Sequence, residues 1–172
     1  MGTLSTGGYL NHKGTGFNFP LLTNPISPQA MKPRLIIICT GNSCRSQMAE
    51  GFLRELADDL FSTQSAGMNP STEVHPLAIK VMSEVGIDIS GNTCKHLNAF
   101  FNEPIDTVIT VCSHADQSCP VLPASTKRHH FGFPDPASAE GTEEKKLVVF
   151  RQIRDDISRI LLAYVAGRRD AL

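Results

Sequence analysis

Apolar positions along the chain switch repeatedly between the period of a strand and the period of a helix. Leu35–Ile38 is a short, mostly β-branched run and reads as a buried strand. Met48, Phe52, Leu53, Leu56 and Leu60 then recur at helical spacing. "FSTQSAG" (61–67) predicts a second strand ending at a glycine. "HPLAIKVMSEVG" (75–86) predicts a helix with Pro76 in its first turn and Gly86 as its stop. "IDTVITVC" (105–112) is the clearest strand, and "TKRHHFGF" (126–133) is a weaker one. From Glu143 to about Gly167, Leu147, Phe150, Ile153, Ile157, Ile160, Leu161 and Tyr164 form a long amphipathic stripe. This alternation predicts an α/β fold, a parallel sheet with helices on both faces.

The 172 residues suffice for one domain with a proper core, and 41% are hydrophobic. A formal net charge of -1 offers no basic excess for a nucleic-acid backbone. The longest aliphatic run is far too short to span a bilayer. Five cysteines, with no secretory signal before them, point to reduced thiols in the cytoplasm rather than a disulfide scaffold. Residues 1–30 hold five glycines, three prolines and no Asp or Glu, and read as a flexible extension. An upstream start codon or a vector remnant explains them equally well. The domain itself is expected over 31–172, with Met31 as an alternative start.

The first strand ends on Cys39, where "CTGNSCRS" feeds a helix. Ligands of open α/β sheets bind beyond the carboxyl ends of strands. A loop at a helix N-terminus presents backbone N–H groups and the positive end of the helix dipole. Thr40, Gly41, Asn42, Ser43, Cys44 and Arg45 are therefore the expected oxyanion-binding segment. Gly41 permits close approach, Asn42 tolerates a left-handed backbone, and Arg45 is a planar fork for two oxygens. Ser46 can donate to the Cys39 sulfur, and the field of the loop is expected to lower the Cys39 pKa. The bland alternative is a structural cysteine plus a surface arginine. The Gly, Asn and Ser between strand and helix favour a nucleophile in an anion nest. A second thiol at Cys44 is not needed there.

The clearest strand ends at Cys112, on the sheet edge where Cys39 also falls, and Cys119 follows after six residues. Attack by Cys39 on an oxyanion and then by Cys112 on Cys39 would reduce the central atom by two electrons. Cys119 could then take over the disulfide. Zinc is the competing reading, but neither pair has the usual ligand spacing and Arg45 disfavours a cation. No metal site is expected, and His129 and His130 read as structural. If 112–119 were helical, the two thiols would lie roughly 10 Å apart along the axis. A disulfide needs Cα atoms about 4.4–6.8 Å apart, so the segment is expected to loop out on oxidation. Asp135, between two prolines in "FGFPDPAS", fits either a general acid or a plain turn residue.

"CTGNSCRSQMAEG", "SAG" at 65–67, "VCSHADQSCPVLP" and "FGFPDPA" together resemble the thioredoxin-coupled arsenate reductases, which are built on the low-molecular-weight protein tyrosine phosphatase fold. The resemblance implies a single domain with a four-stranded parallel sheet flanked by helices. It implies Cys39 as nucleophile, Arg45 as oxyanion clamp, Ser46 as thiolate stabiliser, Cys112 and Cys119 as relay pair, and Asp135 as general acid. It further implies arsenate as substrate, phosphate or sulfate as analogues, arsenite as product and reduced thioredoxin as electron source. No bound cofactor, nucleic acid or membrane is expected, and the chain is expected to act as a monomer.

Two features depart from that pattern. Residues 1–30 have no counterpart in it. Some members also hold potassium beside the loop through an Asn, a Glu, a Ser and an Asp. Asn42, Glu50 and Ser65 match, whereas Lys95 stands in the fourth place. Its ammonium is expected to replace the ion and to reach the oxygens of the other three, unless it points to solvent. Cys94, in place of an expected serine, reads as incidental. The rival functions are a phosphatase, weakened by the missing aromatic after Asp135-Pro136, and a non-enzymatic redox sensor using Cys112 and Cys119.

Overall fold

Four consecutive aliphatic residues, Leu35, Ile36, Ile37 and Ile38, are all fully buried. A strand apolar on both faces belongs in the middle of a covered parallel sheet, and that is where strand β1 (Arg34–Cys39) lies. The computed structural model describes residues 32–171. The expectations for residues 1–30 and for Met31 lie outside the described residues. Strand order is β2-β1-β3-β4, with β2 Ser62–Gly67, β3 Thr107–Thr110 and β4 Lys127–His130, and every pairing is parallel.

Helices α1 (Arg45–Ala57), α2 (Pro76–Ser83), α3 (Ser113–Ser118) and α4 (Glu143–Arg169) flank the sheet. The long C-terminal helix buries Leu147, Phe150, Ile153, Ile157, Leu161 and Val165, a stripe at spacings of three and four. Its ends suit the dipole: Thr142 caps the start beside Glu143 and Glu144, and Arg168 and Arg169 occupy the last turn. Buried Arg154 donates to the Val81 carbonyl at 2.9 Å and ties α4 to α2. Among the described residues no helix is long and apolar enough to cross a membrane.

The strand expected over 105–112 is ladder-paired only over Thr107–Thr110, and the helix expected over 75–86 runs from Pro76 to Ser83. Gly86 has φ +80, the left-handed turn conformation that favours glycine. The register sets Ile38 beside Thr110, and the Val111 N–H donates to the Ile38 carbonyl at 2.9 Å. Cys39 and Cys112 thereby leave the same edge of neighbouring strands.

Candidate active site

The loop from Cys39 to Cys44 is held from outside by its carbonyls. Those of Cys39, Thr40, Gly41 and Ser43 accept from the N–H groups of Met68, Asn69, Ser71 and His75 at 3.1, 2.9, 2.8 and 3.0 Å. The Asn42 carbonyl accepts from Gln47 Nε2 at 2.9 Å and from the Cys94 thiol at 3.0 Å. In a planar trans peptide the N–H points opposite to the C=O. The loop therefore turns its N–H groups inward, where the first turn of α1 adds its own unpaired donors.

Asn42 sits at the centre, fully buried and with φ 49, the left-handed backbone the sequence anticipates. Its N–H donates to Cys39 Sγ at 3.1 Å, and its Nδ2 donates to Ser46 Oγ at 2.9 Å and Ser65 Oγ at 2.8 Å. Because Ser46 Oγ accepts from Asn42, its own proton is free to point at Cys39 Sγ, 3.0 Å away. Gly67 is fixed by close approach: a Cβ there would lie 2.7 Å from the Thr40 carbonyl oxygen and 3.0 Å from Asn42.

The expectation of a lowered Cys39 pKa does not hold. The sulfur is buried, and the lost hydration pushes the thiol up. The Ser46 hydroxyl, the Ser46 and Asn42 backbone N–H groups and Arg45 pull the other way and are outweighed. Arg45 is the weakest of them. It donates to the Phe133 carbonyl at 3.0 Å and pairs with Asp135 at 3.4 Å, leaving only a buried Nε without a partner. Asp135 is half exposed and also accepts from the Ala137 N–H at 3.2 Å, so the "FGFPDP" loop lies over the cradle. Cys44, at the start of α1, is buried and pushed up to about 12 by desolvation.

Cys112 is buried, and its sulfur lies 3.4 Å from Thr40 Oγ1 on the cradle rim. Cys119 is partly buried at the far end of α3, and burial raises its pKa. Sequence reasoning had no unconditional place for α3 and missed two supports of the cradle. Gln47, whose Nε2 also reaches the Thr93 carbonyl at 3.1 Å, braces the loop from behind, and Gly67 makes room for it. A strand-end glycine in "SAG" is the signal for the latter; a buried glutamine one helix turn past the loop carries none.

Lys95 only partly follows the expectation. Its Nζ lies 3.8 Å from Glu50 Oε2 and 3.3 Å from the Thr93 carbonyl. The Asn42 side-chain oxygen is met instead by the Lys95 backbone N–H at 2.7 Å. Ser65 donates to the buried Glu50 carboxylate, whose other oxygen pairs with Arg54. Among the described residues no group of three His, Cys, Asp or Glu side chains is placed to hold a metal ion.

The chain is 45% identical to the arsenate reductase of Halalkalibacterium halodurans over 128 residues, covering 74% of this chain and 91% of that one. A solved arsenate reductase in the phosphate-binding state aligns with TM-score 0.64 and 33% identity, over 78% of this chain and 98% of that one. The Corynebacterium glutamicum thioredoxin-dependent arsenate reductase aligns with TM-score 0.61 and 27% identity, over 81% of this chain and 65% of that one. The model of low molecular weight phosphotyrosine protein phosphatase matches residues 34–167, the whole span from β1 into the last turns of α4. With that match over most of its length, the chain belongs to the low molecular weight phosphotyrosine protein phosphatase family.

Proposed function

We propose that the protein reduces arsenate to arsenite through Cys39, Cys112 and Cys119 and is recharged by thioredoxin. The observation that carries this is the second thiol: Cys112 leaves the strand beside Cys39 and touches Thr40 of the cradle at 3.4 Å. A hydrolase needs no such neighbour, whereas a two-electron reductant does.

Arsenate, a tetrahedral oxyanion, sits on the inward N–H groups with Arg45 turned from Asp135 onto its oxygens. Cys39 sulfur attacks arsenic and a hydroxyl departs as water. The thiol proton is lost and one proton joins the leaving oxygen; Asp135 beside Arg45 is the group to transfer it. Cys39–SH and dihydrogen arsenate thus give a Cys39–S–As(V) adduct and one water. Cys112 then attacks Cys39 sulfur. The Cys39–Cys112 disulfide forms, the sulfur–arsenic electron pair stays with arsenic, and As(III) leaves as arsenite. Attack by Cys119 on Cys112 frees Cys39 and leaves Cys112–Cys119 as the substrate of thioredoxin. No bound cofactor takes part in this scheme. The five cysteines are free thiols, which suits the reducing cytoplasm in which we place the enzyme.

Arsenite formation by the purified protein with thioredoxin and thioredoxin reductase, run beside p-nitrophenyl phosphate hydrolysis, tests this. Sustained arsenite production is expected. Phosphate release without arsenite would overturn it in favour of a phosphatase.

A further inference from the structure

The six-residue helix α3 separates the two relay thiols: Cys112 caps its start and Cys119 its end. Nothing in "SHADQS" gives it an amphipathic stripe. One residue instead ties it to the sheet. Asp116 accepts from Thr110 Oγ1 at 2.9 Å and from Arg128 Nη2 at 3.0 Å through the same carboxylate oxygen. Arg128 donates at the same time to the Asp116 main-chain carbonyl, one of the last-turn carbonyls that α3 cannot satisfy itself. His130 completes the cluster, with Nδ1 2.9 Å from Thr110 Oγ1 and 3.7 Å from Asp116. The Thr110 hydroxyl has one proton and the carboxylate has none, so Thr110 donates to Asp116 and His130 Nδ1–H donates to Thr110. Thr110 and Arg128 both hold the Asp116 carboxyl below its ordinary range, which keeps it charged at neutral pH.

Seven helical steps span about 10 Å along an axis, and disulfide-bonded Cα atoms lie about 4.4–6.8 Å apart. For Cys119 to reach Cys112, α3 has to unwind, and Asp116 has to leave Arg128 and Thr110.

We propose that Arg128, acting through Asp116, is a positioning residue for the relay. It latches α3 in the wound form and thereby sets how readily the Cys112–Cys119 disulfide closes. The inference rests on the three-thiol reading but concerns only its last intramolecular step.

The test keeps the full chain and replaces the nucleophile, Cys39→Ser, so that no oxyanion chemistry intervenes. Glutathione disulfide serves as oxidant: Cys112 and Cys119 lose two electrons and two protons, one disulfide forms, and two glutathione thiols are released. The rate and equilibrium of this reaction, with the bridge mapped by peptide mass spectrometry, are compared for Arg128, Arg128→Gln and Arg128→Lys. Amide exchange of 113–118 is measured in the reduced proteins. Arg128→Gln is expected to speed exchange in that segment about tenfold and to favour the disulfide by a similar factor, about 30 mV for a two-electron couple. Arg128→Lys should recover part of both. Equal exchange and equal equilibria in all three proteins would overturn the latch while leaving the relay intact. Failure of any Cys112–Cys119 bridge to form would overturn the relay reading and the latch with it.

Discussion

Ser46→Ala removes the hydroxyl that donates to Cys39 Sγ at 3.0 Å, the strongest of the influences opposing burial at that sulfur. The Asn42 N–H, at 3.1 Å, stays, and Asn42 Nδ2 keeps Ser65 Oγ at 2.8 Å, so the loop retains its shape. A hydrogen bond to a charged group contributes about 1.5–3 kcal/mol. With the second donor still present, a loss of about 2 kcal/mol is expected, and the thiol moves further up. Below both pKa values the thiolate fraction then falls about 30-fold. A more basic thiolate is a better nucleophile, with a Brønsted slope of about 0.4–0.5, so about a fivefold gain offsets part of the loss. The net expectation is about a sixfold slower reaction with a disulfide reagent at neutral pH. The gap should close and then reverse once pH exceeds both values, with the variant about fivefold faster. Labelling at Cys39, read by peptide mass spectrometry across a pH series, gives the profile. Superimposable profiles, or a shift toward lower pH in the variant, would refute the assignment of Ser46 as the donor that stabilises the thiolate.

Reductase activity should be independent of potassium, because Glu50 already faces Arg54 and Lys95 and a metal cation would meet two fixed positive charges. Kinetics in sodium and potassium salts at equal ionic strength check this; saturable activation of the wild type would contradict it, and Lys95→Asp should create such a dependence. The Cys44 thiol, pushed up from 9.0 to about 12, keeps its proton in the folded chain at pH values where the unfolded chain loses it. Its contribution is therefore intact below about pH 9 and declines as pH rises toward 12, by roughly 4 kcal/mol at most. Urea unfolding at alkaline pH should show a shallower decline for Cys44→Ala than for the wild type, and equal declines would exclude Cys44 as the cause.

What the sequence revealed depended on how local the determining physics was. Leu35–Ile38 has no polar position, so β1 and its central place were legible, and α4 carried its own stripe and end charges. The loop from Cys39 to Ser46 was legible because Gly, Asn, Arg and Ser each have a distinct local chemistry. Helix α3 was not, since its hold comes from Thr110, Arg128 and His130 on neighbouring strands rather than from a periodic pattern. The direction of the Cys39 pKa was misjudged for a related reason. A helix N-terminus is visible in sequence, whereas the depth of the sulfur and the pairing of Arg45 with Asp135 arise only from packing. For Lys95 the sequence placed the residue correctly beside Asn42 but could not show that its backbone, and not its ammonium, makes that contact.

The most direct measurement of the central claim is a single turnover of the Cys119→Ser variant. Cys39 and Cys112 suffice for one two-electron event, and nothing remains to carry the disulfide outward. Mixed with arsenate and then quenched, this variant should release about one arsenite per chain, arrest, and yield a Cys39–Cys112 disulfide on mass mapping. The Cys112→Ser variant should release none. Continued thioredoxin-driven turnover of Cys119→Ser, or arsenite release without a Cys39–Cys112 bridge, would contradict the relay.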